Sequence, residues 1–235
     1  MARPSLPGWL TVRRALGLTP PDAEHEIADD LAVEQFERIR ERLPALYAVL
    51  ALVGVAAMVL TPARIDPYTR FGLPLVMTVA SMWRYVHWTR LRRVWMGPDE
   101  SRRALRRMMV SVPVLAGLGA AWATMNFLDA STGDRPLTIV LILLCSLAVG
   151  STAASFPAVV ALALVVGLTP ITIAMAAKGD GGYLTVAATA WSVAGMTLRL
   201  AISELRDVTD NIVLRHQLQR LANTDPLTGI GNRRA

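Results

Sequence analysis

"PLTIVLILLCSLAVGSTAASFPAVVALALVVGLTPITIAMAA", residues 136–177, holds 42 residues without one charged side chain. The hydrocarbon layer of a bilayer is about 30 Å thick and takes roughly 20 apolar residues per helix, so this run is long enough for two crossings. Its centre, "GSTAASFP" (residues 150–157), is small, polar and closed by proline. Such chemistry interrupts a helix and predicts a tight helical hairpin.

Similar segments lie on both sides. Residues 43–63 are charge-free over 21 positions, residues 108–128 over another 21, and residues 181–198 over 18. Residues 71–88 are the weakest candidate, because Arg84 and His87 interrupt them. The composition agrees: 53% of residues are hydrophobic and the mean hydropathy is +0.41, against about 45–50% apolar in soluble domains. The sequence therefore predicts an all-α protein, a polytopic bundle of six transmembrane helices. The one cysteine, Cys145, excludes a disulfide framework and sits in an apolar run as a small hydrophobe.

The net charge of +6 raises the question of nucleic acid. The arginines, however, flank apolar segments instead of lining one polar face, which is a membrane-orientation pattern. Twenty of the 24 Lys and Arg residues precede the first span, lie at or between spans two and three, or follow the last span. Only Arg64, Arg70, Arg135 and Lys178 fall on the other side. This asymmetry places both termini and the loop around residues 84–107 in the cytoplasm, predicts no nucleic-acid partner, and requires an even number of spans.

Residues 1–42 form an N-terminal cytoplasmic segment. A cleaved signal peptide does not fit, since the first apolar run begins only at Leu43 and is too long. "LPGWLTVRRALGL" (residues 6–18) has the make-up of a short interfacial amphipathic helix. Asp22 is placed to cap a second helix, whose Ile27, Leu31 and Ile39 share a packed face.

Two readings attach to "MWRYVHW" (residues 82–88). Arg84 and His87 could form an intramembrane polar site, since ionisable groups in a membrane are often functional. Alternatively, Arg84 snorkels while Trp83, Tyr85 and Trp88 form an aromatic belt at the cytoplasmic end of the span. No second histidine lies in any span. The outer loops, about residues 64–70, 129–135 and 178–182, are too short for a folded sensor domain, so a signal would act on the bundle, its lipids or a small molecule entering it. Metal-ligand spacings, a P-loop and nucleophile motifs are absent from the chain. No cofactor is expected in it.

After Leu198 the chain turns amphipathic. Residues 199–224 contain no Pro or Gly, so one helix can run unbroken out of the membrane. Leu198, Leu205 and Ile212 recur every seven residues, with Ile202 and Val208 or Thr209 between them, as in a coiled-coil seam. Leu214, Leu218 and Leu221 continue in a phase two residues displaced, which reads as a stutter. The expectation is a coiled-coil stalk and a homodimer; a helix packed on its own chain is the alternative.

The chain closes on "NTDPLTGIGNRRA" (residues 223–235), in which Asp225-Pro226, Thr228-Gly229 and Gly231-Asn232 are turn chemistry. This segment resembles the opening of GGDEF domains, the catalytic domains of bacterial diguanylate cyclases, written DxLTxLxNR. Asp225, Leu227, Thr228, Gly229, Asn232, Arg233 and Arg234 stand where that pattern wants them, and Ile230 replaces Leu. The match covers about 13 residues and follows a membrane bundle and helical stalk, the family's usual order.

The resemblance implies that two GGDEF domains, each holding GTP with Mg²⁺, meet to form cyclic di-GMP. It also implies that the residues doing this work lie downstream of the opening motif. The expectation is therefore the sensor and transmitting part of a cyclase in the bacterial inner membrane, with residues 43–198 as sensor, 199–224 as signalling helix and 225–235 as the first residues of a catalytic domain. GTP and Mg²⁺ would bind only in that domain. A degenerate GGDEF domain, or one followed by a phosphodiesterase domain, leaves the same trace. A transporter or channel is the alternative from another class, although neither paired intramembrane charges nor an evident inverted repeat supports it.

Overall fold

The computed structural model describes residues 25–91 and 96–223 of the chain. The described residues form α-helices and one π-helical turn, with no strand among them. In order these are α1 (His25–Leu60), the π turn (Tyr68–Gly72), α2 (Leu73–Leu91), α3 (Pro98–Asp129), α4 (Arg135–Thr152), α5 (Pro157–Ala177) and α6 (Gly181–Asn223). All except α2 contain a stretch long and apolar enough to cross a membrane. The 19 residues of α2 include Arg84, His87 and Arg90, which dilute its apolar character.

Prolines set several helix starts. Pro98 opens α3 with Asp99 and Glu100 in the first turn, Pro136 stands in the first turn of α4, and Pro157 opens α5. A proline there forfeits an N–H that has no helical partner anyway, and acidic groups complement the positive end of the helix dipole. Pro44, Pro113 and Pro170 instead lie inside helices that continue past them. Each deletes one backbone hydrogen bond, and packing against neighbouring helices keeps the rod intact.

The uncharged run folds as a hairpin. α4 ends at Thr152 and α5 begins at Pro157, and the turn is closed by Ala153 N–H to Val149 O at 3.0 Å and Phe156 N–H to Ala153 O at 2.8 Å. Between α5 and α6 the chain reverses through Gly179, whose φ of 66° suits a residue without Cβ. Asp180 Oδ1 then accepts the Gly182 N–H at 2.7 Å, capping α6.

Successive helices alternate in direction, which creates two ends. At one lie the turns at residues 61–67, 130–134 and 178–180. There Asn126 Nδ2 donates to Thr61 Oγ1 at 3.2 Å, Arg64 pairs with Asp134, and Arg135 donates to Phe127 O and Tyr183 Oη, both at 3.2 Å. At the other lie the α4–α5 hairpin, the start of α1 and the end of α6.

The core runs the length of the bundle; Phe36, Ile39, Leu43, Tyr47, Phe127, Leu168 and Ile171 are fully buried. Large apolar residues also cover the outside, among them Leu52, Val79, Trp83, Val110 and Ile173. A soluble bundle seldom shows so much apolar surface, whereas a bundle wrapped in hydrocarbon must. Two glycines allow close helix crossings. A Cβ on Gly54 would overlap the Thr78 hydroxyl and come within 3.1 Å of the Pro74 carbonyl, and one on Gly150 would overlap the Thr197 methyl.

α1 passes residue 42 without a break, so the helix expected ahead of the first apolar run leads straight into it. One boundary differs from the sequence reading. α2 starts at Leu73 and ends at Leu91, against the expected 71–88. Asp66 Oδ2 accepts the Tyr68 and Thr69 N–H groups at 2.9 and 3.3 Å, holding a separate turn ahead of α2. The predicted interfacial helix at residues 6–18 and the Asp22 cap lie outside the described residues.

Candidate functional site

The first turns of α1 carry apolar Leu31, Phe36 and Ile39 and polar Asp29, Asp30, Gln35 and Arg42. Spacings of three and four residues bring them onto neighbouring faces of the helix. This part of α1 reaches α2, α3, the α4–α5 turn and α6. Phe36 meets Trp88 of α2, with ring centroids 6.0 Å apart. Asp29 pairs with Arg102 of α3. Gln35, itself buried, donates from Nε2 to the Ser155 carbonyl in the α4–α5 hairpin at 2.9 Å.

Three contacts join α1 to α6. Arg42 Nη1 reaches Glu204 Oε1 at 3.0 Å, His216 Nε2 meets Asp30 Oδ2 at 2.8 Å, and Leu31 closes a small apolar cluster with Leu205, Val208 and Ile212. The Arg42–Glu204 pair is partly exposed and is worth about 1 kcal/mol at most. Apolar burial supplies more, since fully burying a Leu or Ile side chain is worth roughly 1.5–3 kcal/mol.

The predicted stalk seam divides here. Ala194, Ala201, Leu205, Val208 and Ile212 are buried along one side of α6, while Leu198 and Ile202 are half-buried beside them. Leu205 and Ile212 are 6% and 4% exposed, whereas Leu214 and Leu218 are 53% and 57% exposed. A helix turns about 100° per residue, so a displacement of two residues is about 200°. The second set of leucines therefore belongs to the opposite face of the helix, not to a small slip of the same seam. Leu221 lies within α6 as well. In this chain the face carrying Leu205, Val208 and Ile212 is covered by Leu31 of α1.

The other predicted residues are not brought together into a ligating site. Arg84 is half-buried and His87 exposed on α2. His87 lies between Trp83 and Trp88, at centroid distances of 6.5 and 5.8 Å. Among the described residues no group of three or more His, Cys, Asp or Glu could hold a metal ion. The motif residues Asp225, Leu227, Thr228, Gly229, Asn232, Arg233 and Arg234 lie outside the described residues.

No family model matches the chain, and neither the curated proteins nor the solved structures contain a match.

Sequence reasoning did not find the polar anchors Asp30, Gln35, Arg42 and Glu204. Gln35 and Arg42 share a stripe with Leu31 and Ile39, but these pairings span 109 to 186 residues. Nothing local specifies such pairings.

Proposed function

We propose that this chain is the membrane sensor and signal-transmitting part of a bacterial diguanylate cyclase, with a GGDEF catalytic domain beginning at Asp225. The observation that carries this reading is α6. One helix of 43 residues leaves the bundle and ends at Asn223, where the GGDEF-like segment starts. In this reading all six helices cross the bacterial inner membrane, α2 included, and both termini are cytoplasmic. The apolar outer face of α2 supports its inclusion, with Leu75, Val76, Val79 and Trp83 all exposed.

Cyclic di-GMP formation requires two GTP-loaded domains face to face, so the stalk must pair two chains. With the inner face of α6 held by α1, the pairing surface left to it is the opposite one, carrying Leu214 and Leu218. A bundle that loosens the α1–α6 contact would free Leu205 and Ile212 as a second seam. Exchange between the two faces would rotate the helix ends and reorient the attached catalytic domains, a bistable arrangement suited to a switch.

The test is a comparison of the chain ending at Ala235 with the same chain extended by its natural reading frame, each purified and given GTP and Mg²⁺. The extended protein is expected to make cyclic di-GMP and the 235-residue chain none. Product from the shorter chain would overturn the assignment of catalysis to downstream residues. A continuation without nucleotide-binding residues or product would overturn the cyclase reading itself.

A further inference from the structure

In the middle of the bundle, α1 to α5 leave a cleft enclosing about 620 Å³, its mouth included. Small residues make the room: Ala116 and Gly119 of α3 face Ala163 and Gly167 of α5 across it. These small residues add little bulk to its walls, and a Cβ on Gly167 would already lie 3.9 Å from the Ala116 methyl.

The walls are apolar with one exception that bears on recognition. Ser81 of α2 is 1% exposed and lines the cleft, yet its hydroxyl makes no hydrogen bond to any described residue. The other serine of the lining is satisfied, since Ser146 Oγ donates to the Ile142 carbonyl at 2.8 Å. A hydroxyl without a partner at the wall of the cleft is open to a ligand carrying a hydrogen-bonding group.

We propose that this cleft binds a free single-chain amphiphile, a fatty acid or fatty alcohol, with its chain along the small residues of α3 and α5 and its head group bonded to Ser81. Leu46, Tyr47 and Leu50 of α1 form one wall, and the same helix holds α6 through Leu31 and Arg42. Occupancy thus acts on the element that grips the stalk. The proposal shares with the function above only the placement of the bundle in a membrane, and binding is read without any cyclase assay.

Cys145 is the one cysteine of the chain and lines the cleft, so it reports occupancy. The purified chain is placed in phosphatidylglycerol nanodiscs, and the rate of Cys145 alkylation by N-ethylmaleimide is followed as dodecanoic acid is added. Saturable protection of about fivefold or more is expected, and native mass spectrometry should show one retained acid per chain. Ser81→Ala should weaken protection by dodecanoic acid about three- to tenfold while leaving protection by dodecane unchanged. Gly167→Leu should remove the retained acid, and Ala163→Val supplies a milder filling should that variant fail to fold. Two results would overturn the proposal. One is alkylation that dodecanoic acid does not slow. The other is a phospholipid that stays bound and is not displaced, which would make the cleft a seat for bilayer lipid.

Discussion

Leu31→Ala is the most direct probe of the contact between α1 and α6. Leu31 is 9% exposed and closes the cluster formed with Leu205, Val208 and Ile212. The substitution removes three carbons from that cluster, and at about 0.8 kcal/mol per buried methylene the loss is about 2.4 kcal/mol. Little further cost is expected from a residual cavity, because the cluster lies at the bundle's end, where α6 can settle inward. Every 1.4 kcal/mol is a factor of ten, so local opening of α6 becomes roughly 50-fold more frequent. Amide hydrogen exchange on peptides spanning residues 202–216, measured in nanodiscs, reads this directly. Leu205→Ala deletes the same contact from the other side. The double variant should therefore fall short of the sum of the singles by about 1 kcal/mol. Arg206→Ala, on the exposed side of α6, should change exchange by no more than about twofold. An increase of less than about threefold in Leu31→Ala would refute the reasoning, because it would mean that α6 holds its position without α1.

Three further outcomes follow from other parts of the bundle. Gly150→Ala should lower the thermal midpoint in detergent, because its methyl overlaps that of Thr197; adding Thr197→Ser, which removes the opposing methyl, should restore most of the loss. Gln35→Leu should destabilise by about 1–3 kcal/mol, since it leaves the Ser155 carbonyl without its partner, and a thermal shift no larger than that of an exposed substitution would show that the bond contributes nothing. Topology reporters fused after Ala235 should be active in the cytoplasm and those inserted within residues 129–135 outside it, whereas a C-terminal reporter active only outside would rule out six crossings.

The hairpin was legible because its signal is local. The 42 uncharged residues set the lengths of α4 and α5, and Pro157 with its small polar neighbours set the turn. The unbroken run of α6 was legible for a similar reason, as nothing between residues 199 and 223 stops a helix. The helix ahead of Leu43 was legible too, from its apolar spacing, and its backbone runs on into the apolar stretch. The partner of α6 was hidden. A seven-residue repeat states that one face is covered, but the pattern is the same whether the cover is a second chain or Leu31 of the same one. Ala194 and Ala201, which complete the buried side, carry little hydrophobic signal, so Ile202 stood in for them in the sequence reading.

The close crossing of Gly150 and Thr197 gives α6 a fulcrum. At 1.5 Å per residue, about 24 Å of the helix lies on the Gly181 side of Thr197 and about 39 Å on the Asn223 side. A rod pivoting there is a lever with unequal arms. A sideways push of about 2 Å at Gly181, the scale of a side chain changing rotamer, becomes a swing of about 3 Å at Asn223 in the opposite direction. Mechanical gain of this kind needs no hinge and no melting, only stiffness along the helix, one tight point against which it can turn, and release of the long arm from Leu31, Arg42 and Asp30 of α1.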